Sequence, residues 1–215
     1  MMWLSTQTRP NIFNAGRAVA RYCAAPKFVQ WRAALGILGY VRRTSSLGIT
    51  FRRESVGGLS LQAFADADYA TQATDRGAVS GGLVMCGGAC GSWFSRAQKC
   101  VTLSTREAEY VALADIVKEV LFLRQVWRFM LPDVGMPCIP VFEDNEGAVQ
   151  LAQNPITNSN SKHIDVRHHF LRELVGRKEI SAIHVASPFQ HTDFFTKAIS
   201  RESSEFHRNL VLNSW

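Results

Sequence analysis

Residues 59–68 read Leu-Ser-Leu-Gln-Ala-Phe-Ala-Asp-Ala-Asp, an apolar run that closes on two carboxylates. The part from Leu59 to Ala65 predicts a β-strand, since glycine-rich sequence precedes it and apolar residues dominate it. A carboxylate that ends a strand points out of the edge of a sheet, where a cation can reach it. If the strand continues, Asp66 and Asp68 share a face, but Asp68 before Tyr69 is more typical of the turn out of the strand. We therefore predict Asp66 as the cation ligand.

The elements that follow predict a mixed sheet covered by helices. In order, they are strands over 82–86 and 91–96, a helix over 105–130, a strand over 139–144, helices over 145–153 and 164–175, a strand over 180–185, and a last helix beginning at Ser187-Pro188 with serine as its cap. Three meandering strands followed by alternating units indicate an α/β fold, with a five-stranded mixed sheet flanked by helices.

The long helix contains two glutamates that can be told apart by periodicity. At about 100° per residue, the apolar stripe of this helix is centred on Glu109. Glu107 falls on the opposite side, and with Ser104 it forms a capping box at the helix start. A buried carboxylate needs a partner. Glu109 is therefore predicted as a cation ligand and Glu107 as a capping residue.

Two further acids stand where the predicted sheet could bring them to the same edge. Asp144 ends an apolar strand and precedes a helix, so capping that helix is its alternative role. Asp193 lies near the start of the last predicted helix, where the helix dipole favours an acid in any case. Taken together with Asp66 and Glu109, they make four carboxylates that would repel one another strongly unless Mg²⁺ or Mn²⁺ neutralised them. That combination is typical of two-metal phosphodiester cleavage.

Charge is distributed unevenly along the chain. The chain has a net charge of +6, yet residues 1–55 carry nine Lys or Arg against the single acid Glu54. Two helices are predicted there, over 9–24 and 26–43, and the second places Trp31, Leu35 and Leu38 on one stripe. Such a basic module would grip a nucleic-acid backbone, although a solvated basic helix face is the alternative.

Composition excludes some classes of protein. Hydrophobic residues make up 47% of the 215 residues, enough for a buried core, and no apolar run approaches the ~18–20 residues that span a bilayer. We expect no membrane contact. The five cysteines are scattered and odd in number, so we expect thiols in a reducing compartment.

Five segments together resemble the ribonuclease H domain of Ty/copia-type retrotransposon polyproteins. They are Phe64 to Ala70, Ser104 to Leu113, Glu143-Asp144-Asn145, Ser161 to Phe170 and Thr192 to Lys197. Residues 3–50 resemble the stretch that follows the polymerase palm in the same polyproteins, a thumb or connection. We therefore divide the chain into a basic helical thumb or connection remnant at 1–55 and a ribonuclease H-like domain at 56–215.

The resemblance implies cleavage of the RNA strand of RNA–DNA hybrids during reverse transcription. The four metal-binding acids of the family fall on Asp66, Glu109, Asp144 and Asp193, with two Mg²⁺ or Mn²⁺ as cofactors. Asp66 would bridge two ions about 3.5–4 Å apart, Glu109 and Asp144 would complete one, and Asp193 the other. Nucleic-acid contacts are expected from a further set of polar side chains, namely Arg76, Ser80, Asn145, Lys162 and Arg167.

The expected partners are an RNA–DNA hybrid and the polymerase portion of the same polyprotein; the oligomeric state is left open. An active element would place the protein in a cytoplasmic virus-like particle. The chain contains no Tyr-x-Asp-Asp polymerase turn, so we expect no polymerase activity and a polyprotein fragment or shortened copy. Where the family has Lys-Ser-Thr-Ser-Gly, residues 77–81 read Gly-Ala-Val-Ser-Gly. This departure favours the alternative of a catalytically silent nucleic-acid-binding remnant, with a purely structural or protein-interaction fold as a third possibility.

Other clusters fit chemistry less well. His163, His168 and His169 lie near one another, and Cys86 and Cys90 flank a glycine turn, but neither group has a zinc-site spacing with a matching second pair. We interpret both as structural or surface groups. His191 would lie about 200° from Asp193 on a continuous helix, which predicts a surface histidine.

Overall fold

A computed structural model describes residues 1–51, 60–69, 77–154 and 162–212, without the side chains of 162–168. Residues 54–58, whose sequence Glu-Ser-Val-Gly-Gly predicts a linker, lie outside these ranges. Within them, no helix is both long and apolar enough to cross a membrane, and no disulfide joins the cysteines.

A five-stranded mixed sheet forms the centre of the protein, as predicted. Its strands are β1 (Leu61–Asp68), β2 (Val79–Cys86), β3 (Ala89–Ala97), β4 (Ile139–Glu143) and β5 (Ile180–His184). They lie side by side in the order β3-β2-β1-β4-β5. The first three form an antiparallel meander, whereas β4 runs parallel to β1 and β5 runs parallel to β4. This is the ribonuclease H-like arrangement.

The β2–β3 connection is tighter than the predicted glycine-rich turn. Cys86 pairs directly with Ala89, so Gly87 and Gly88 alone make the loop. Both glycines have positive φ, at 57° and 80°, as a type I′ hairpin turn requires. This geometry matches the right-handed twist of the two strands.

Helices cover both faces of the sheet. The helices after the linker are α4 (Thr105–Met130), α5 (Glu146–Gln153), α6 (Lys162–Gly176), α7 (Asp193–Thr196) and α8 (Arg201–Leu212). The predicted bounds of α4 are confirmed. Its start is fixed by Ser104, whose side chain accepts a hydrogen bond from the Glu107 amide, while Glu107 accepts one from the Leu103 amide. Glu107 is thus confirmed as a capping residue.

The long helix α4 packs on one face of the sheet with α5 and α6 beside it. This face holds the larger core, which includes Ala63, Val141, Leu113, Ile116 and Leu171. On the opposite face, Phe64 stacks on Phe142 with ring centroids 4.9 Å apart, and α7 and α8 complete a second core.

The N-terminal residues form α1 (Met2–Gln7), a short 3₁₀ turn (Pro10–Ile12), α2 (Phe13–Ala20) and α3 (Phe28–Arg43). The first predicted helix, 9–24, is therefore shorter than expected and begins after a proline turn.

The first two helices dock on β3. Trp93 Nε1 donates to the Ser5 carbonyl at 2.7 Å, and Arg17 Nε donates to Ser95 Oγ at 3.0 Å. In α3, by contrast, no residue is buried. The proposed 1–55 unit therefore consists of two docked helices and a third whose apolar stripe remains uncovered in the described structure.

Candidate active site

Three predicted carboxylates meet at the carboxyl ends of β1 and β4. Phe64 pairs with Phe142 across these parallel strands, so the same register brings Asp66 level with Asp144. The short helix α7 brings Asp193 to the same edge. One oxygen from each of Asp66, Asp144 and Asp193 lies within 4.8 Å of the other two. Three carboxylates this close form a group that can hold a divalent cation.

A second group forms on the other side of the same edge. Glu109, in the first turns of α4, lies with Glu143 and Asp144, and their nearest oxygens are again all within 4.8 Å of one another. Asp144 belongs to both groups. Strand alternation explains this arrangement, because Asp66 shares the Phe64 face while Glu143 shares the Val141 face towards α4.

Backbone and hydroxyl donors fix these carboxylates. Glu109 Oε2 accepts from the Ala67 amide at 2.6 Å, so the α4 carboxylate is tied to the end of β1. The Thr196 hydroxyl donates to Asp66 Oδ2. Ser187 Oγ donates to Asp144 Oδ2 at 2.8 Å. Asp66, Glu109 and Asp144 are therefore each held from outside their own elements.

Lys197 supplies a positive charge to the first group. Its Nζ lies 2.9 Å from Asp193 Oδ1 and 3.8 Å from Asp66 Oδ1. Burial alone would lower the pKa of Lys197, but attraction to Asp66 and Asp193 outweighs burial and the pKa is raised. The ammonium is therefore charged and offsets part of the repulsion between these two carboxylates.

Burial dominates the electrostatics of the acids. It raises the pKa of Asp66 to about 7, although Lys197 and the Thr196 hydroxyl act in the other direction. Burial, reinforced by Asp66 and Asp144, raises the pKa of Glu109 to about 9. Burial also raises the pKa of Asp193, and it raises that of Glu143 well above the ordinary value. Strongly perturbed carboxyl groups packed together are typical of functional sites.

The chemistry of the donor set fits a hard divalent cation. All the groups are carboxylates, the oxygen ligands that Mg²⁺ and Mn²⁺ prefer. One of the buried oxygens, Glu143 Oε2, has no hydrogen-bond partner among the described residues. A cation would satisfy that oxygen and remove the mutual repulsion.

The four predicted acids are thus brought together, and two of the predicted nucleic-acid contacts, Asn145 and Ser80, have described side chains. Asn145 caps α5, where its Oδ1 accepts from the Ala148 amide at 3.1 Å. Ser80 is fully buried, and its hydroxyl accepts from Gln98 Nε2 at 3.0 Å. That burial does not support a contact between Ser80 and nucleic acid.

The remaining predicted contacts, Arg76, Lys162 and Arg167, lie outside the described residues or side chains, as does the His163–His168 part of the histidine cluster.

Two expectations about the last segment were wrong. The chain does not form one helix from Ser187; it forms a 3₁₀ turn (Ser187–Phe189), then α7 and α8 as separate helices. Ser187 does not cap a helix, since its hydroxyl binds Asp144 instead. The cause is Gln190, which is buried and donates from Nε2 to the Ala65 carbonyl at 2.7 Å, pinning the chain between the two turns.

The position of His191 is a further correction. It was predicted at the surface, but only 8% of it is exposed, and its Nδ1 lies 3.0 Å from His207 Nδ1. The prediction assumed a continuous helix, whereas His191 precedes α7 and turns inward towards α8. One ring nitrogen must donate and the other accept, so at least one of the two imidazoles is neutral, and burial lowers the pKa of both.

Glu143 is the residue that sequence reasoning missed. It was grouped with Asp144 in a motif, and only Asp144 was predicted as a ligand. Alternation along β4 carried the signal, since Ile139, Val141 and Glu143 fall in one phase and all three are buried. An acid in the buried phase of a strand requires a partner.

Known proteins resemble this chain over most of its length. The chain is 34% identical over 215 residues, 98% of its length, to a retrovirus-related Pol polyprotein from the transposon TNT 1-94 of Nicotiana tabacum. It is 32% identical over 194 residues, 90% of its length, to the corresponding polyprotein of the transposon RE2 of Arabidopsis thaliana. The chain belongs to the retrovirus-related Pol polyproteins of transposons. No family model matches it.

The chain spans 16% of the length of the tobacco polyprotein and 13% of the Arabidopsis one. Among solved structures, the N-terminal RNase H domain of a Mycobacterium tuberculosis protein superposes with a TM-score of 0.48 at 13% identity. That superposition covers 69% of the Pol segment and 95% of the mycobacterial chain. The strand order and connectivity described above are the features that assign the ribonuclease H-like fold.

Proposed function

We propose that this Pol segment is a metal-dependent endoribonuclease that cleaves the RNA strand of RNA–DNA hybrids during retrotransposon reverse transcription. One observation carries the proposal: Asp66, Glu109, Asp144 and Asp193 come from four separate elements and converge on one sheet edge. Family membership and the ribonuclease H-like fold support a nuclease-type hydrolase in general. Metal dependence and hybrid specificity are the further steps that we propose.

The four carboxylates would hold two Mg²⁺ or Mn²⁺ ions. Asp66 and Asp193 would serve one ion, Glu109 the other, and Asp144 lies within reach of both groups. Bound divalent ions activate water at neutral pH and stabilise the charge of the leaving 3′ oxygen. The hydrogen bonds from Thr196, Ser187 and the Ala67 amide would keep three of the carboxylates oriented during the reaction.

Recognition of the hybrid would depend on shape and charge. The 2′-hydroxyl groups of RNA distinguish it from DNA, and phosphate contacts contribute salt-sensitive affinity. The N-terminal helices present several exposed basic side chains for the backbone, namely Arg21, Lys27, Arg32, Arg42 and Arg43. Arg9 does not contribute, because it is buried and binds Thr44.

The polymerase portion of the same polyprotein is the proposed protein partner. Helix α3 exposes an apolar stripe to solvent, with Trp31 59%, Leu35 46% and Leu38 47% exposed. Large apolar side chains left open along one helix face are typical of surfaces that another protein covers. In an active element, this assembly would act in a cytoplasmic virus-like particle.

A hybrid-cleavage assay tests the proposal. An end-labelled RNA strand paired with DNA is incubated with protein in Mg²⁺, and single-stranded RNA, duplex RNA and duplex DNA serve as comparison substrates. We expect cleavage of the hybrid alone, with 3′-hydroxyl and 5′-phosphate products, and none in EDTA.

The Asp144→Asn variant should lose at least 100-fold in rate. Glu146→Gln, which changes an exposed acid two residues away, should cleave at the wild-type rate. The absence of cleavage by well-folded wild-type protein would overturn the enzyme proposal.

A second candidate is a catalytically silent nucleic-acid-binding remnant. It is favoured by the ion pairs of Lys197, because the ammonium already offsets the charge of two of the four acids, Asp66 and Asp193. A silent binder would bind the hybrid in EDTA with a steep salt dependence, and Mg²⁺ would add no cleavage. A purely structural remnant would bind no hybrid under either condition.

A further inference from the structure

Glu143 is a carboxylate that the four-acid scheme does not use. It is the last residue of β4, it is 0% exposed, and it faces α4 in phase with Ile139 and Val141. The cost of burying a charged carboxylate is several kcal/mol unless hydrogen bonds or an opposite charge compensate. The surroundings of its two oxygens therefore decide what role it can play.

Those surroundings leave one oxygen unsatisfied. Oε1 accepts from the Asn145 amide at 3.2 Å, whereas Oε2 has no hydrogen-bond partner among the residues that the structure describes. One Glu143 oxygen lies within 4.8 Å of oxygens of Glu109 and Asp144. The unsatisfied acid therefore stands inside a carboxylate cluster.

The two carboxylate groups also differ in charge compensation. Lys197 forms ion pairs with Asp66 and Asp193 on one side of Asp144. In the described part of the chain, no lysine, arginine or histidine forms an ion pair with Glu109 or Glu143. A divalent cation would meet a directly paired ammonium on the first side, whereas Lys197 acts on Glu109 and Asp144 of the second group only through longer-range attraction.

We propose that Glu143 is a fifth carboxylate ligand, and that Glu109, Glu143 and Asp144 together form the divalent-cation position that fills first, before nucleic acid binds. The inference deepens the proposed function, because it adds a ligand and an order of loading to the same site. The cation would be Mg²⁺ or Mn²⁺, since all three donors are carboxylates.

Binding of Mn²⁺ to the full chain without nucleic acid is the direct test. Free Mn²⁺ is followed by electron paramagnetic resonance during titration of the wild type, Glu143→Gln and Glu146→Gln. Glutamine keeps the size of the side chain and removes its charge. We expect Glu143→Gln to weaken the first Mn²⁺ at least tenfold, and Glu146→Gln to bind as the wild type does. Equal affinity in the wild type and Glu143→Gln, or no binding by the wild type, overturns the inference.

Anomalous scattering from Mn²⁺-soaked crystals of the wild type needs no variant. We expect the first ion that appears at low Mn²⁺ concentration to lie between Glu109, Glu143 and Asp144. A first ion between Asp66 and Asp193 instead would overturn the proposed order of loading.

The cleavage assay separates this inference from the proposed function. If the wild type cleaves the hybrid and Glu143→Gln binds Mn²⁺ with unchanged affinity, Glu143 is not a ligand but the nuclease proposal stands. If Glu143→Gln binds Mn²⁺ more weakly and the wild type cleaves no hybrid, the cation position stands and the nuclease proposal is wrong.

Discussion

The ammonium of Lys197 lies 2.9 Å from Asp193 Oδ1, one turn earlier in the chain, and the same nitrogen reaches to within 3.8 Å of Asp66. A single side chain thus offsets the charge of two carboxylates that come from β1 and α7. Because it stands where a cation would bind, it competes with one.

Lys197→Met should change stability and metal affinity in opposite directions. Without metal, loss of the ammonium leaves two buried carboxylates opposed, and unfolding free energy should fall by about 1–2 kcal/mol, a figure reduced for the partial exposure of Lys197. Removing the competitor should also strengthen Mg²⁺ binding several-fold. Chemical denaturation in EDTA and Mg²⁺ titration by calorimetry measure the two effects.

Lys118→Met is the matched control, since Lys118 is more exposed and, among the residues that the structure describes, forms an ion pair with Asp115 alone. It should change neither quantity appreciably. Weaker Mg²⁺ binding in Lys197→Met would show that the ammonium assists the cation.

Thr196→Val should slow cleavage by about tenfold. The valine keeps the shape of the side chain but removes the hydroxyl that donates to Asp66 Oδ2, so the carboxylate loses its fixed orientation. Single-turnover cleavage of a labelled hybrid measures the effect. Thr196→Ser restores the donor and should recover most of the rate; a serine variant as slow as the valine variant would mean that loss of the hydroxyl donor does not explain the effect.

Stability of the metal-free protein should fall as the pH rises. The folded-state pKa of Glu109 is raised to about 9, above its ordinary value, so the folded state holds a proton that the unfolded state has released. Stability from this group is complete below the ordinary glutamate pKa and is lost as the pH rises towards 9. Urea unfolding in EDTA from pH 5 to 8 should show the decline.

Glu109→Gln removes the titrating group and should flatten that pH dependence. Glutamine can still accept the hydrogen bond from the Ala67 amide, so the variant should fold. Glu173→Gln, an exposed acid on α6 that pairs with Arg177, should keep the wild-type slope. An identical slope in Glu109→Gln would mean that other acids carry the effect.

Gly82→Ala should destabilise the sheet by about 1–3 kcal/mol. A Cβ at Gly82 would clash with the ring of Phe94 and lie 2.7 Å from Ile116 Cδ1, so both side chains would have to shift within a packed core. Thermal or urea unfolding measures the loss. Gly36→Ala is the opposite case, because nothing lies within 4 Å of its Cβ in the exposed helix α3, and it should gain up to about 1 kcal/mol. A neutral Gly82→Ala would mean that Phe94 can turn aside at little cost.

Periodicity predicted the parts of the site that lie on long regular elements. Helix α4 has the predicted bounds, and the angular argument that chose Glu109 over Glu107 is matched by a side chain that is 4% exposed and hydrogen-bonded to β1. Because α4 is about seven turns long, a few residues that depart from the apolar pattern do not change the face that the pattern predicts. The same reasoning could identify which glutamate faces the sheet but not what it would meet there.

Short and irregular segments escaped prediction because a few tertiary hydrogen bonds decide them. Gln190 binds the Ala65 carbonyl and divides the expected last helix, which moves His191 from the surface to the interior. Asp144 was expected to be able to cap α5, yet Asn145 does so and leaves Asp144 for the site. The division of the last helix depends on a hydrogen-bond partner more than 50 residues away, and the cap of α5 depends on a shift of one residue.

The apolar stripe of α3 shows another limit. Periodicity predicted that Trp31, Leu35 and Leu38 share a face, and α3 forms, but none of the three is buried. A stripe indicates where a helix can pack, whereas coverage depends on the neighbour that the fold supplies.

Gly81 lies so close to helix α7 that the sheet has no room for a side chain at this position. A methyl group built there would come within 2.6 Å of Thr196 Cγ2 and 3.1 Å of Phe195 Cβ. Any larger residue would lift α7 away from β1 while leaving the strands paired, so the molecule would still fold but Asp193 would stand off from its neighbours. Inspecting this one position in diverged copies of the element would therefore sort those able to assemble the cluster from those that keep only its scaffold.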